Sequence, residues 1–323
     1  MNEIFGLGFI PSGEDSRDFT FGNTEIDLVE KHEPHFKVSH LPGIYNQGNI
    51  GMCVGFSLAK IKEGQELKER KVQKRYSPAF IYANRADGDY KGEGMMPREA
   101  LKQLSKYGTV DYEDFPMLDK YPACRTNFDN NINNLLPLAQ SQRIGYYIRL
   151  KTNEEIMSFL KAEDTPSLIC IHIHENFRVG SDGIVSMPQG RMQGGHAMTL
   201  CGWTTIGEEK YWIVSNSWGE QWGNNGYCYI PFAYPKMEIW GVTDRISKKQ
   251  AEIPQEINFV VDEPIMYTED KLIKMDTAAK IENGRTLVPV RYLAEILGFD
   301  VGFEVLRDGR KIVTIRQGGE LKK

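Results

Sequence analysis

The 323-residue chain is short of cysteine and has none of the spacings in which cysteine binds metal or forms disulfide frameworks. Its five cysteines are scattered and odd in number, so we predict neither a zinc site nor a disulfide scaffold. No motif indicates a cofactor, and none is expected. A run of about 20 apolar residues is also missing, and no membrane span is predicted.

Charge of one sign is not in excess either. Lysine and arginine number 39 against 44 aspartates and glutamates, for a formal charge of −5 with no long basic block. This balance argues against a nucleic-acid partner and against binding to an anionic membrane.

The apolar run at residues 4–10 lacks the features of a secretion signal. Glu3 precedes it in place of a basic residue, two glycines interrupt it, and no small-residue cleavage site follows. The sequence names no compartment. Without a signal or a disulfide framework, a cytoplasmic or phage-associated protein is favoured over classical secretion.

Residue patterns divide the chain into a helical half, a β-rich half and a tail. Helices are predicted over 53–70, 77–86 and 96–108, and in the first of these apolar residues fall on one side and charged residues on the other. "NNINN", 130–134, is interpreted as a polar connection between the halves. Short segments rich in β-branched and aromatic residues are predicted as strands at 143–150, 167–174, 183–188, 196–203, 211–218 and 226–231.

The stretch "QGNIGMCVGFS", 47–57, places Cys53 where a glycine-rich turn enters the first helix. A helix start offers partial positive charge and unpaired N–H groups, which favour a thiolate. An oxyanion formed on a substrate carbonyl would find donors in the Cys53 N–H and the Gln47 amide. Buried cysteines are often inert, however, and this stretch alone fits both interpretations equally well.

Two further residues favour the catalytic interpretation. His196 follows two glycines at the start of an apolar strand, and Asn216 lies in "YWIVSNSWGEQWGNNGY". An imidazole can exchange a proton with the thiol, an asparagine oxygen can fix its tautomer, and Trp218 can shield their hydrogen bond from water.

Together these motifs resemble the papain family of cysteine peptidases, whose His and Asn follow the nucleophile by some 130–150 residues. The resemblance covers most of residues 1–245, and "NSWGEQWGNNGY" is its most specific part. It implies that Gln47 is the oxyanion donor, Cys53 the nucleophile, His196 the acid and base, and Asn216 its orienter. It also implies an α+β fold in which a helical half and a β-barrel-like half enclose the active-site cleft.

The chain departs from the family pattern near the nucleophile. Ile50 replaces the family's cysteine three residues before Cys53, so the disulfide made there is missing, and Val54 replaces an aromatic. Fewer than 50 residues precede Gln47, so no inhibitory propeptide is expected. By resemblance, an apolar pocket for the second residue before the cut is lined by Gly94, Met95, Met96, Pro97, Cys170, Gly194 and Ala197.

The tail carries a pattern of its own. "RTLVPVRYLAEILGFDVGFE" and "RKIVTIR" predict strand, helix and strand, with Pro289 at the helix start and Gly298 at its end. Residues 257–318 resemble the copper amine oxidase N-terminal-like domain. The segment has no histidine or cysteine, so no metal is expected there.

The predicted organisation is a peptidase domain over 1–246, a linker over 247–256 and a small α+β domain over 257–323. The predicted function is peptide-bond hydrolysis on a peptide or protein substrate. Two alternatives remain: acyl transfer or cell-wall amidase action on the same triad, and a catalytically silent binding protein. The small domain is expected to bind a partner, a surface or the catalytic domain itself.

Overall fold

The computed structural model describes residues 6–16, 18–85, 93–118, 121–244, 257–268, 272–297, 299–305 and 311–317. The chain forms two compact units, Met1–Arg245 and Ile246–Lys323. The predicted linker, 247–256, and the predicted helix end at Gly298 lie outside the described residues. In the part of the chain that is described, no helix combines the length and apolarity needed to cross a membrane.

The first unit joins a helical half to an antiparallel sheet. Its helices are α1 (Cys53–Arg70), α2 (Pro78–Ala83), α3 (Pro97–Tyr107), α4 (Tyr121–Ala139) and α5 (Asn153–Glu163). Its strands are β1 (His35–Lys37), β2 (Tyr146–Arg149), β3 (Ser167–His174), β4 (Met192–Ile206), β5 (Glu209–Ser215), β6 (Tyr227–Pro231) and β7 (Lys236–Thr243). They lie in the order β2-β7-β3-β4-β5-β6, and β1 pairs with β4.

Helix α1 is the element that the two halves share. It packs on α2 and α3 in the helical half and on β3 and β4 in the sheet. Every residue from Cys53 to Glu66 is therefore buried, including the charged ones. The charged residues that fall on the other side of this helix are buried over these turns, and Lys62 pairs with Glu66 at 3.0 Å and with Asp244 at 2.6 Å.

Tertiary packing also corrects the prediction at 130–134. The "NNINN" stretch lies inside α4, which presents the buried side chains Cys124, Phe128 and Leu135 at helical spacing. Packing of that face outweighs the weak helix propensity of asparagine. The sequence patterns gave no sign of α5 and β7.

The segment predicted as a strand at 183–188 is irregular. It contributes only isolated bridges, from Ile184 to Tyr229 and from Val185 to Val179. Gly183 has a φ of +80°, a turn conformation that leaves too few extended residues before Pro188 for a regular strand.

The described residues of the second unit form short antiparallel strands and one helix. A three-stranded sheet has the order β10-β9-β8, with β8 at Asn258–Phe259, β9 at Ile265–Tyr267 and β10 at Leu272–Lys274. Two hairpins pair β11 (Lys280–Glu282) with β12 (Arg285–Leu287), and β13 (Phe299–Val305) with β14 (Lys311–Gln317). Helix α6 (Val290–Ile296) packs on β13, and its N-cap is Pro289, at the predicted start.

Candidate active site

Cys53 is the first residue of α1 and is fully buried. The N-cap residue is Met52, whose side chain makes no capping hydrogen bond. The backbone N–H groups of Cys53 and Val54 act on the thiol and favour its ionised form. The structure thus places the thiol in the field of a helix start, as the sequence predicted.

Strand β4 brings the imidazole to the same place. The backbone of Ala197, the residue after His196, lies near the Cys53 thiol and acts to lower its pKa. The His196 Nε2 atom lies 2.7 Å from Asn216 Oδ1, and both side chains are buried. Because an amide oxygen only accepts, Nε2 carries the hydrogen of this bond. The other ring nitrogen, Nδ1, has no hydrogen-bond partner in the described residues and is left for the thiol proton.

Trp218 covers this pair. Its ring stacks on the His196 ring with centroids 4.5 Å apart and planes 27° apart. The indole keeps water from the hydrogen bond between His196 and Asn216, which strengthens it.

Gln47 is held rigidly by three hydrogen bonds. Its Nε2 donates to Ile50 O at 2.8 Å and to Gly6 O at 3.0 Å, and its Oε1 accepts from Ser217 Oγ at 2.5 Å. The amide orientation is therefore fixed, with Nε2 as the donor toward the cleft. Ser217 was not predicted as a site residue, although it directly follows Asn216 in the same motif.

Burial controls the protonation of both reactive groups. It raises the pKa of Cys53 to about 11, against the opposing effect of the surrounding N–H groups. It lowers the pKa of His196 to about 4, while the hydrogen bond to Asn216 acts in the opposite direction. In this arrangement the neutral thiol and neutral imidazole are favoured over an ion pair.

A segment near the N-terminal end of the chain lies close to these groups. Residues 6–10, "GLGFI", run between the two halves and make hydrogen bonds to each. Met95 N donates to Gly8 O at 2.7 Å, and Ile10 N donates to Met95 O at 3.1 Å. On the other side Phe9 N donates to Gly195 O at 3.1 Å.

The predicted pocket residues mostly surround this segment. Phe9 is buried in one cluster with Met95, Cys170 and Ala197, the last two of which are paired across β3 and β4. Backbone at Gly94 and Gly194 closely approaches the side chains of Ile10 and Leu7, respectively.

The two other predicted pocket residues lie where α3 begins. Met96 is the N-cap of that helix, and Pro97 is its first residue.

A surface cavity of about 920 Å³ opens beside Trp218. Its aromatic lining comes from Phe177, Trp218 and Trp222. Leu7 also lines it and belongs to residues 6–10, which we call the crossing segment. Within the described ranges, no three His, Cys, Asp or Glu side chains lie together in a way that could hold a metal ion.

Two family models match the chain. Residues 29–239 match "Papain family cysteine protease", and residues 242–307 match "Copper amine oxidase N-terminal domain". Both agree with the resemblances seen in the sequence.

Curated relatives are similar at low identity. A cysteine protease of Blomia tropicalis is 25% identical over 210 residues, covering 62% of this chain and 61% of that protein. Cathepsin K of Mus musculus is 26% identical over 251 residues, covering 76% of this chain and 73% of that protein. The chain thus spans less than two thirds of the first of these relatives.

Among solved structures, xylellain, a cysteine protease from Xylella fastidiosa, superposes with a TM-score of 0.63 at 22% identity. The match covers 75% of this chain and 97% of that one. It establishes the papain-like α+β fold of the first unit.

Proposed function

The chain belongs to the papain family of cysteine proteases, and we propose on that premise that it hydrolyses peptide bonds with Cys53 as nucleophile. The observation that carries this proposal is the buried bond between His196 Nε2 and Asn216 Oδ1 beside the helix start that bears Cys53. That bond leaves only Nδ1 able to take the thiol proton.

The first half-reaction forms an acyl-enzyme. The Cys53 proton moves to His196 Nδ1, and the sulfur attacks the carbonyl carbon of the substrate peptide. The carbonyl oxygen becomes an oxyanion, for which Gln47 Nε2 and the Cys53 N–H are the donors. The carbon–nitrogen bond then breaks, and the leaving amine takes the proton from His196.

The second half-reaction restores the thiol. Water gives a proton to His196 and adds to the thioester carbon, and the same donors hold the oxyanion. The carbon–sulfur bond breaks, the sulfur recovers its proton from His196, and a carboxylic acid is released. No other group has to change protonation.

The crossing segment indicates which substrates fit. It binds in extended form through backbone hydrogen bonds to Met95 and Gly195, as a polypeptide substrate would. Phe9 fills the buried pocket beside Cys170 and Ala197. We therefore propose polypeptide substrates with an aromatic or large aliphatic side chain in this pocket. A cleavage profile that favours a charged residue there contradicts this specificity.

The test replaces Cys53 with alanine and follows hydrolysis of a peptide library by mass spectrometry. Hydrolysis that disappears in Cys53→Ala and persists in Cys124→Ala, a control that removes another buried thiol, supports the proposal. Equal hydrolysis by both variants refutes it. Added amine acceptors separate hydrolysis from acyl transfer, because a transferase joins the acyl group to the amine.

For the second unit we propose a binding role. Its described strands carry apolar residues with large solvent-exposed fractions: 72% for Leu272, 61% for Ile281 and 50% for Leu287. The proposed occupant is a partner, a surface or the catalytic unit. Analytical ultracentrifugation of the separate units, mixed and alone, tests the last of these.

We also propose a reducing compartment, cytoplasmic or phage-associated, in which the five buried cysteines stay free. Cell fractionation tests this location.

A further inference from the structure

The cavity beside Trp218 lies on the leaving-group side of the reactive groups. Trp218 stacks on His196, the residue that protonates the leaving amine in the proposed reaction, with ring centroids 4.5 Å apart. The buried pocket of the acyl side lies in the other direction, because Leu7 lines the Trp218 cavity and Phe9, two residues further along, fills that pocket. The residues that follow the cut in a bound peptide therefore belong in the Trp218 cavity.

Arg178 lines this cavity and also a second one of about 530 Å³. It directly follows Phe177, whose ring lies 6.1 Å from that of Trp218, centroid to centroid. The Arg178 side chain is exposed to solvent. A charged group at this place can meet a peptide that continues beyond the indole of Trp218.

The backbone at Arg178 is fixed by a small hairpin. Val179 and Val185 form an antiparallel bridge, and Ser186 N donates to Arg178 O at 3.3 Å. A backbone that is already ordered does not have to be ordered again when a peptide binds, so the charge of Arg178 is positioned in advance.

The charges around Arg178 leave it available for a ligand. Among the described residues, it is the only lysine or arginine that lines either cavity, and it makes no ion pair. Glu175 of the second cavity already pairs with Arg191 at 3.4 Å. Glu220 lines the first cavity but does not pair with Arg178. A guanidinium in this situation matches a carboxylate, which its forked donors can hold with two parallel hydrogen bonds.

We propose that Arg178 determines specificity on the leaving-group side, by favouring peptides that carry a carboxylate within the first few residues after the cut. The carboxylate comes from an acidic side chain or from the end of the peptide. This inference rests on the proposed function. It adds a preference for negative charge after the cut to the apolar preference before it.

The test compares peptides that share an aromatic residue before the cut and differ only after it. Glutamate or glutamine occupies each of the first three positions after the cut in turn, always with an amidated end. A further pair ends in a free or an amidated carboxyl group, which separates the two sources of the carboxylate. All peptides meet the same protein, so any cost of displacing the crossing segment is common to them and cancels.

We expect kcat/KM to be about threefold to fivefold higher for glutamate, or for the free carboxyl end, at the position that reaches Arg178. An exposed ion pair contributes no more than this. The difference should lie in KM rather than kcat, because Arg178 does not touch the reacting atoms. It should shrink in about 1 M salt, which screens the charges.

Variants assign the preference to Arg178. Arg178→Gln should abolish it, and Arg178→Glu should reverse it in favour of lysine. Two controls should keep it: Arg143→Gln, an exposed position that lines neither cavity, and Glu220→Gln, which removes the carboxylate that lines the Trp218 cavity. No preference at any position, or an equal preference in wild type and Arg178→Gln, would overturn the inference.

A binding measurement separates this inference from the proposed function. If no peptide is hydrolysed, the peptidase fails, and fluorescence anisotropy of labelled peptides with Cys53→Ala decides the specificity. The glutamate peptide should bind that variant about threefold to fivefold more tightly than the glutamine peptide. Adding Arg178→Gln should make the two affinities equal. Equal affinities already in Cys53→Ala alone would refute the role of Arg178.

Discussion

Replacing Ser217 with alanine isolates the orientation of the oxyanion donor. The Ser217 hydroxyl donates to Gln47 Oε1, and Gln47 is fully buried. The substitution leaves Oε1 without this partner, at a cost of about 1–3 kcal/mol in the free energy of unfolding. It removes neither the nucleophile nor the imidazole.

The expected effect on catalysis is smaller than complete loss of the donor. Removing an oxyanion donor lowers kcat by about 10²–10³. In Ser217→Ala the hydrogen bond from Gln47 Nε2 to Ile50 O persists and keeps part of the orientation. We therefore expect kcat to fall about tenfold with KM little changed, because the oxyanion forms only during the reaction.

The assay combines peptide hydrolysis with alkylation of Cys53. It uses the Gly8→Ala background, where a Cβ atom added at residue 8 would lie 1.9 Å from Gly51 O and should release Gly6 O from Gln47 Nε2. Alkylation forms no oxyanion and should keep its rate. Ser215→Ala, which removes another buried hydroxyl, one that bonds Lys60, is the control for general destabilisation. Equal kcat in the Ser217 and Ser215 variants would refute the orienting role. A parallel loss of alkylation would show that Ser217 acts on the thiol.

Two further predictions concern buried polar side chains of the first unit. Asn216→Ala removes the hydrogen-bond partner that lies 2.7 Å from His196 Nε2. We expect kcat to fall about 10- to 100-fold, because the buried imidazole loses the bond that orients it. Asn134→Ala at an exposed position is the control, and an equal kcat in the two variants would contradict the triad. Burial raises the pKa of Glu63 to about 7 from 4.5, so the stability it contributes is full below pH 4.5 and is lost as the pH rises through 7. In urea unfolding, the free energy of unfolding of the wild type should fall by about 3 kcal/mol relative to that of Glu63→Gln between pH 4.5 and pH 8. A difference between the two proteins that does not change with pH would contradict this.

The local features of the site could be predicted because each is encoded within a few neighbouring residues. The turn before Cys53, the helix that follows it and the motif around Asn216 carry their own signals. The structure places these groups together around one buried bond. Ser217 lies in the same motif, but a hydroxyl gives no signal of its partner until Gln47 is positioned.

The features that could not be predicted depend on distant parts of the chain. Helix α4 forms around asparagines because its apolar face packs on α2. The charged residues of α1 are buried because partners such as Asp244 arrive from more than 150 positions away. The "GLGFI" segment has no periodicity, and its two glycines gain a meaning only against the backbone of Ile50 and Gly51.

The charge state of Cys53 shows how a local argument can have the right sign and still be outweighed. A helix start favours a thiolate by about 0.3–1 kcal/mol. Burial raises the pKa of Cys53 from 9.0 to about 11, which opposes the thiolate by about 3 kcal/mol. The same burial lowers the pKa of His196 to about 4 and so disfavours the imidazolium. The ion pair of a Cys53 thiolate and a His196 imidazolium is therefore expected only when water has entered the cleft.

Access to Cys53 and the charge of Cys53 are expected to depend on the same segment, residues 6–10. A segment that lies over the thiol excludes substrate. It also buries the thiol, which favours the neutral form over the thiolate that acts as the nucleophile. In wild type, alkylation of Cys53 should rise only toward pH 11. In Gly8→Ala the rise should begin at mildly acid pH and disappear again when His196 is replaced by alanine. The same pH profile in the wild type and in Gly8→Ala would mean that the segment covers the cleft without affecting the charge of the Cys53 thiol.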